Sequence, residues 1–311
     1  MLFWLAGFGA LAGLFYFMIA MPGRSHRGEL PPLSAEGKAL AERLRKHVEE
    51  LSRNERNQDL ETAARYIAAA FGPDSSFQEF ESGGRTVRNI ELASPQTSYV
   101  VVGAHYDTVP GTPGADDNAS GVAALLELAR LLARDGLPIR FVAFANEEPP
   151  YFLGRDMGSW SWARRARERG ETVRAMLSLE MLGYYSDAPG SQRYPPPLGL
   201  FYPGRGDFIA FVADLGARTL VRRSISSFRR YAEFPSEGVA APSLIPGVSW
   251  SDHWSFRDHG FPAIMVTDTA FYRYAHYHLP SDTAEKLDYE RLARVTLGLA
   301  GVLRDLATQD R

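Results

Sequence analysis

The chain has 311 residues, of which 45 % are hydrophobic and 23 % are charged, and its net charge is −3 at neutral pH. This composition is typical of one large or two ordinary globular domains, and the charge provides no basic surface for nucleic acid. The chain has no cysteine, so disulfides and thiolate metal ligands are excluded, and any metal must be bound by histidine and carboxylate side chains.

Residues 1–22 contain no charged side chain. About 20 apolar residues at ~1.5 Å rise span the ~30 Å hydrocarbon core of a bilayer, which predicts a single-pass transmembrane anchor over 1–22, followed by a polar tether over 23–34. A cleaved signal peptide is the alternative, although neither a basic leader nor a small-residue cleavage site is clear. Arg24 and Arg27 favour a cytoplasmic domain, whereas the chemistry described below favours an extracytoplasmic one. We therefore predict a membrane localisation, with the domain outside the cytoplasm and the orientation open.

Hydrophobic periodicity divides residues 35–311 into alternating helices and strands without a long linker, which predicts one domain. Val87–Leu92 and Tyr99–Ala104 are expected to be neighbouring strands joined by a Ser/Pro turn. Further strands are predicted at Ile139–Ala145, Ala175–Leu182 and Ala263–Thr267. Helices are predicted at Ala35–Leu51, Leu60–Phe71, Val122–Ala133, Asp156–Arg169, Phe208–Leu220, Ser251–Phe256 and Asp288–Ala307. Ser186–Gly206 is expected to be a surface loop or lid, and Ser224–Trp250 to hold only short strands and loops.

Histidine or acidic side chains lie near the ends of three of these predicted strands or in the loop after the fourth. They are His105 with Asp107, Glu147 with Glu148, Glu180, and His278, and Asp117 lies across a Gly/Pro-rich turn from His105. Because side chains at the carboxyl ends of such strands border one crevice of an α/β sheet, we expect these residues to lie close together.

Carboxylates brought that close repel one another unless a cation neutralises them. Histidine nitrogen and carboxylate oxygen at ~2.0–2.2 Å suit Zn²⁺, and two metals sharing one carboxylate would lie ~3.5–4 Å apart, an arrangement suited to hydrolysis. Glu147 and Glu148 are the most informative pair, because one can bind metal while its neighbour takes a proton from the attacking water.

Five motifs resemble, in order, those of the co-catalytic zinc exopeptidases related to aminopeptidase Y and bacterial leucyl aminopeptidase. They are HYDTVPGTPGADDNASG, FVAFANEEPP, SLEMLGY, SDHWSF and YHLPSDT, and the resemblance covers residues 40–307. It implies a single α/β domain with a central mixed, mostly parallel sheet of about eight strands flanked by helices.

The resemblance also implies a metal-ligand set. His105 would bind one zinc, Asp117 would bridge two zinc ions, and Glu148 would bind the second. Glu180 stands where the family usually has Asp, and it keeps the carboxylate. His278 matches the last ligand of the family.

Other residues would act on the substrate or position the ligands. Glu147 would be the general base, Asp107 would orient His105, and the Asp117–Asn118 peptide bond is expected to be cis. The motifs do not specify which side chain would stabilise the oxyanion. The candidates are His253, Tyr272 and Tyr274.

The sequence therefore predicts a zinc-dependent exopeptidase of the aminopeptidase type, with two zinc ions per chain, peptide substrates and no nucleic-acid partner. A single-zinc glutaminyl cyclase resembles the same motifs and is the alternative within the fold. A metal-free binding ectodomain is the alternative outside catalysis, and it predicts the loss of one or more ligands.

Overall fold

The computed structural model describes residues 13–308. Its centre is one eight-stranded sheet with helices on both faces. The strands are β1 (Ser75–Ser82), β2 (Arg85–Leu92), β3 (Ser98–His105), β4 (Ile139–Phe144), β5 (Thr172–Glu180), β6 (Ile209–Asp214), β7 (Ser236–Ala241) and β8 (Ala263–Thr267). The predicted α/β fold with a mixed sheet of about eight strands is confirmed.

The strands are ordered β1-β2-β4-β3-β5-β8-β6-β7 across the sheet. The four central strands β4, β3, β5 and β8 are mutually parallel. On one side, β2 pairs antiparallel with β4 and β1 with β2; on the other, β6 pairs antiparallel with β8, and β7 runs parallel to β6. The carboxyl ends of the four central strands therefore lie at the same edge of the sheet.

Helix α1 is described over residues 13–19. The other α-helices of the described residues are α2 (Ala35–Leu51), α3 (Leu60–Phe71), α4 (Gly121–Leu132), α5 (Gly158–Glu168), α6 (Arg218–Tyr231), α7 (His253–Asp258) and α8 (Tyr289–Thr308). Helices α2, α4, α6 and α8 pack together on one face of the sheet, and α5 and α7 pack on the other. Asp288 caps α8 as predicted, because its Oδ1 accepts a hydrogen bond from the Arg291 amide (3.0 Å).

The central strands are apolar on both faces because helices cover both. In β3, Val100 and Val102 pack with the larger helical layer, and Tyr99 and Val101 pack with α5 and α7. This period-two alternation explains why β3 has a continuous β-branched run in the sequence rather than an alternating polar pattern.

The predicted membrane anchor over residues 1–22 is wrong. No helix of residues 13–308 has the length and the apolar character needed to cross a bilayer, and residues 1–12 of that prediction lie outside the described residues. Met18 is only 7 % exposed, because it packs against the protein, in a cluster with Phe208 and Met265. The predicted membrane localisation, with an extracytoplasmic domain, depended on this anchor and is overturned with it.

Three predictions about the secondary structure are also wrong. Strands β2 and β3 are not neighbours, since β4 lies between them. The segment Phe208–Leu220 is not one helix but contains β6 and the start of α6, and Ser224–Trp250 contains most of α6 as well as β7. Periodicity alone does not separate a short, continuous apolar run such as Ile209–Asp214 from a buried helix, because every position in it is apolar or buried in either case.

Trp162 joins α5 to the sheet and to α7. Its ring is fully buried, stacks on Phe256 at 5.4 Å between centroids and meets Tyr99 edge-on at 6.3 Å. We expect Trp162→Ala to lower the free energy of unfolding by about 3–5 kcal/mol, through lost burial and an unfilled cavity. Denaturant unfolding would measure this change. Trp250→Ala is the matched control, because Trp250 is 40 % exposed. An equal loss of stability in both variants would contradict a special contribution from the buried Trp162 ring.

Candidate metal centre

Four predicted site residues lie at the carboxyl ends of adjacent parallel strands. His105 is the last residue of β3 and Glu180 is the last residue of β5, while Glu147 and Glu148 follow β4. All four side chains are at least nine-tenths buried. They meet because β4, β3 and β5 are neighbours in the sheet.

Two further residues reach the same place from loops. Asp117 lies in an irregular turn, Ala115–Ser120, directly before α4, where its backbone is not helical (φ −103°, ψ 89°). His278 lies in the loop after β8. The Asp117–Asn118 peptide bond is cis, as predicted. The Asn118 side chain bonds the β5 end of the sheet, since its Nδ2 donates to the Leu179 carbonyl (2.8 Å) and its Oδ1 accepts from the Met181 amide (3.0 Å).

His105 Nε2 faces three carboxylates. It lies 3.3 Å from Asp117 Oδ1, 3.4 Å from Glu180 Oε1 and 4.0 Å from Glu147 Oε2. Its other ring nitrogen, Nδ1, lies 3.5 Å from Asp107 Oδ1. One nitrogen therefore points into the acidic cluster, and the other points at the residue predicted to orient the ring.

His278 Nε2 forms a second group around the same aspartate. It lies 3.1 Å from Asp117 Oδ2 and 3.3 Å from Glu148 Oε1. Asp117 thus presents Oδ1 to one histidine and Oδ2 to the other. Two of the three donor groups found among the described residues share this carboxylate: His105 with Asp117 and Glu180, and Asp117 with Glu148 and His278.

The residues of both groups fit zinc. Ligand atoms bound tetrahedrally to one zinc at ~2.0–2.2 Å are about 3.3–3.6 Å apart, and the nitrogen–oxygen separations in both groups are close to that spacing. In addition, Asp117 Oδ1 and His278 Nε2 are buried atoms without a hydrogen-bond partner. Buried polar atoms normally have a partner, and a metal ion would supply it.

Without a metal, Glu147 and Glu148 are poorly stabilised as anions, because burial raises the pKa of both. Burial raises the pKa of Glu148 to about 7, with a further contribution from the Asp117 charge. Burial lowers the pKa of His278, but its contacts with Asp117 and Glu148 outweigh that effect and raise the pKa to about 10. The site therefore favours positive charge, in the form of protons or of a metal ion.

Two further carboxylates hold the ligand-bearing loops by their backbones. Asp107 accepts hydrogen bonds from the amides of Glu147 and Glu148 with its two oxygens, both at 3.0 Å. Asp282 likewise accepts from the amides of Asp116 (2.9 Å) and Asp117 (3.1 Å). Asp107 therefore contacts both His105 and the Glu147–Glu148 backbone, which the sequence did not reveal.

Arg56 is a supporting residue that sequence reasoning missed. Its guanidinium is buried and donates to the carbonyls of Tyr106 (2.7 Å), Gly114 (3.0 Å) and Asp117 (3.2 Å). Burial lowers its pKa to about 10, against the charge of Asp117 and other carboxylates. Arg56 therefore links the segment after β3 to the turn that carries Asp117 by hydrogen bonds to both. Nothing in its surroundings in the sequence distinguishes it from a surface arginine.

All three predicted oxyanion candidates have hydrogen-bond partners within the protein. His253 is fully buried, and its Nε2 pairs with the Val248 carbonyl (2.9 Å). Tyr274 is buried, and its hydroxyl donates to Asp282 Oδ1 (2.9 Å). Tyr272 lines the cavity beside the centre, but its hydroxyl donates to the Pro246 carbonyl (3.2 Å).

Tyr277 is a better-placed tyrosine that these candidates did not include. Its ring stacks on His278 at 3.7 Å between centroids and lines the same cavity as the carboxylates. Burial raises the pKa of Tyr277, and the charges of Asp117 and Glu148 raise it further, so the phenol stays protonated beside the centre. Its place next to His278 in the sequence is the signal that could have identified it.

A cavity of about 340 Å³ opens from the metal centre. Asp117, Glu147 and Glu180 form its polar end, and most of its remaining lining is apolar. This volume lies at the lower end of the ~300–1,000 Å³ range of small-molecule sites. The centre thus adjoins a space large enough for part of a substrate.

The sequence model of peptidase family M28 matches residues 86–303. The chain is 41 % identical over 262 residues to protein YfbL of Escherichia coli K12, covering 79 % of this chain and 80 % of that protein. It is 27 % identical over 222 residues to leucine aminopeptidase 1 of Arthroderma otae, covering 67 % of this chain and 54 % of that enzyme. The chain therefore spans about half the length of that relative.

Solved structures share the fold. The Legionella pneumophila LapA aminopeptidase superposes with a TM-score of 0.66 at 19 % identity, covering 91 % of this chain and 78 % of LapA. A glutaminyl cyclase from Porphyromonas gingivalis superposes with a TM-score of 0.62 at 20 % identity, covering 85 % of this chain and 98 % of the cyclase. At these identities, the likeness concerns the fold alone, and this fold is common to a peptidase and a cyclase.

The buried His253 gives a test by pH. Burial lowers its pKa to about 4, whereas an exposed histidine in the unfolded chain titrates near ~6.5. Between those values the unfolded state binds more protons, so stability falls as the pH drops from about 6.5 to about 4. We expect His253→Gln to flatten this part of the pH dependence, measured by urea unfolding at pH 7 and pH 5. An unchanged pH dependence in the variant would exclude His253 as its source.

Proposed function

The chain belongs to peptidase family M28, as its motifs predicted, and we propose that it is a zinc-dependent aminopeptidase that releases N-terminal residues from peptides. The observation that carries this proposal is Asp117, whose two oxygens face His105 and His278 separately. A carboxylate shared in this way supports two zinc ions rather than one.

In this proposal, each zinc has its own group of ligands. His105, Asp117 and Glu180 would hold one ion, and Asp117, Glu148 and His278 would hold the other. Zinc bound there would act as a Lewis acid on the scissile carbonyl and lower the pKa of the attacking water. The longer Glu180 keeps its position because Ser251 Oγ donates to its Oε2 (2.6 Å).

Glu147 is the proposed general base. Burial raises its pKa well above the usual range, and the charges of Glu180 and Glu148 add to this, while His105 opposes it. A carboxyl group with a raised pKa can take a proton from the attacking water and return it to the leaving amine. The Glu147 amide is held by Asp107, so the base has a defined position relative to His105.

Tyr277 is proposed to stabilise the oxyanion. Its neutral hydroxyl can donate a hydrogen bond to an oxygen that gains negative charge in the transition state. The stacking of Tyr277 on His278 keeps the phenol beside the metal centre. The substrate's free amine would find compensating charge in the surrounding carboxylates.

Metal content and substrate choice test the proposal together. We expect about two zinc ions per chain by mass spectrometry, and hydrolysis of alanyl and leucyl anilides that a chelator abolishes. One zinc per chain, with cyclisation of N-terminal Gln peptides and no anilide hydrolysis, would identify a glutaminyl cyclase instead. A folded chain that binds no zinc would overturn both functions.

Glu147→Gln separates catalysis from metal binding. We expect the zinc content to stay unchanged and kcat to fall by about 10²–10⁴, the range that a general base contributes. Anilide hydrolysis and metal analysis on the same preparation would measure both. Glu148→Gln is the matched control and should lose zinc as well as activity. Loss of zinc in Glu147→Gln would contradict the general-base assignment.

Tyr277→Phe tests the oxyanion role. Removing one preorganised donor typically lowers kcat by about 10²–10³. We expect that loss with little change in KM and in zinc content, because the phenyl ring can still stack on His278. Steady-state kinetics on leucyl anilide would measure it, with Tyr272→Phe as the control. A loss confined to KM would indicate that Tyr277 only shapes the binding pocket.

A further inference from the structure

The floor of the cavity is a row of residues that crosses the sheet in register. Glu180 on β5 pairs with Thr267 on β8, Thr267 pairs with Ala210 on β6, and Ala210 pairs with Glu237 on β7. All four residues line the cavity. Neighbouring strands are ~4.7–4.9 Å apart, so the row extends about 14 Å from the metal centre to the edge strand.

A second row runs beside the first on the same face of the sheet. Met265, Val212 and Val239 are paired across β8, β6 and β7, and all three line the cavity. They lie two residues along their strands from Thr267, Ala210 and Glu237, as one face of a pleated sheet requires. The second row is entirely apolar, which makes the floor beyond the metal centre predominantly hydrophobic.

The polar side chains around the cavity already have partners within the protein. The Tyr202 hydroxyl donates to the Gly238 carbonyl (2.6 Å), and the Tyr194 hydroxyl donates to the Pro203 carbonyl (2.7 Å). Gln192 Oε1 accepts from Arg273 Nε (2.8 Å), and its Nε2 donates to Thr269 Oγ1 (2.9 Å). A peptide backbone placed here would lose its hydrogen bonds to water without gaining replacements, which is unfavourable.

Glu237 at the far end does not select a cationic group. Burial raises the pKa of its carboxyl group, while the charge of Arg229, a hydrogen bond with Ser25 and the charge of Arg27 favour the ionised form. Groups within the protein therefore already compensate part of its charge. A leucine side chain reaches only three bonds of ~1.5 Å beyond its Cα, about one strand spacing. Leucine would leave most of the cavity unfilled.

We propose that the preferred substrate has an N-terminal residue with a long, unbranched hydrocarbon side chain that lies across β8, β6 and β7. The proposal rests on the aminopeptidase function and names the substrate class of the same site. A zigzag hydrocarbon chain advances about 1.3 Å per bond along its axis, so the row accommodates about ten or eleven carbons. The carbonyl group of the scissile amide would lie at the metal centre, and the end of the hydrocarbon side chain would lie near Val239.

A series of 2-aminoalkanoyl anilides tests the proposal, with side chains from two to fourteen carbons. We expect kcat/KM to rise about fourfold with each methylene, mainly through a lower KM, until about ten carbons, and then to level off or fall. An optimum at the length of leucine, or no dependence on length, would overturn this inference while leaving the aminopeptidase function intact. Failure to hydrolyse any anilide of the series would overturn the proposed function itself.

Variants that fill the floor at different depths locate the chain. Ala210→Leu places bulk two strands from Glu180, and Val239→Phe places it three strands away. We expect both variants to lower kcat/KM for the ten-carbon anilide relative to the two-carbon anilide. Because Ala210 is nearer the metal centre than Val239, Ala210→Leu should have its optimum at a shorter side chain than Val239→Phe. Leu244→Phe is the control, because Leu244 is 85 % exposed and does not line the cavity. Equal optima in all three variants, with melting temperatures confirming the fold, would contradict the placement of the chain.

Discussion

Repulsion among buried carboxylates is the constraint on which the site depends. Asp117, Glu147, Glu148 and Glu180 approach one another at the end of the sheet because three parallel strands and one turn meet there. Burial removes the water that would screen them, so their charges must be balanced by protons, by the two histidines or by metal ions. This requirement connects the pKa values of the site to its proposed zinc chemistry, since zinc would replace the protons that the raised pKa values retain.

The loops that carry these residues are held mainly through backbone groups. Asp107 and Asp282 each accept hydrogen bonds from two successive amides. Arg56 donates to carbonyls before the turn that precedes α4 and to the Asp117 carbonyl within it. Hydrogen bonds in which one partner is charged are stronger than neutral ones. As a result, Asp107, Asp282 and Arg56, which are outside the ligand groups, maintain the ligand positions. The charge of Arg56 also interacts with the nearby carboxylates.

The sheet serves the site in a second way, through its lateral register. Glu180, the last residue of β5, is the first of a row of paired residues. The row continues across β8 and β6 to the edge strand β7. The parallel strands provide the catalytic edge, and the antiparallel pairing of β6 with β8 extends one apolar face away from it. This combination gives a polar end and an apolar end to one continuous cavity.

Much of the chain could be predicted from local patterns, because strongly apolar runs and helix caps reflect short-range physics. The strands β3, β4, β5 and β8 and the helices α2, α3, α4, α5 and α8 follow those patterns closely. The misses have different causes. The apolar run of β6 has no distinguishing period, and the insertion of β4 between β2 and β3 depends on pairing between distant segments. The apolar run at the N-terminus was misinterpreted because hydropathy does not indicate whether a residue such as Met18 faces lipid or a protein core.

The sequence by itself determined the kind of chemistry. It specifies histidines and carboxylates without thiols, several of them at the ends of apolar runs. These residue types restrict the metals and the reactions available. Only the tertiary structure decided how the residues act together. The resemblance implied that Asp117 bridges two metal ions. The support from Arg56, the stacking of Tyr277 on His278 and the length of the cavity depend on how the strands and loops pack. This packing joins segments that are far apart in the chain, so local sequence patterns do not predict it.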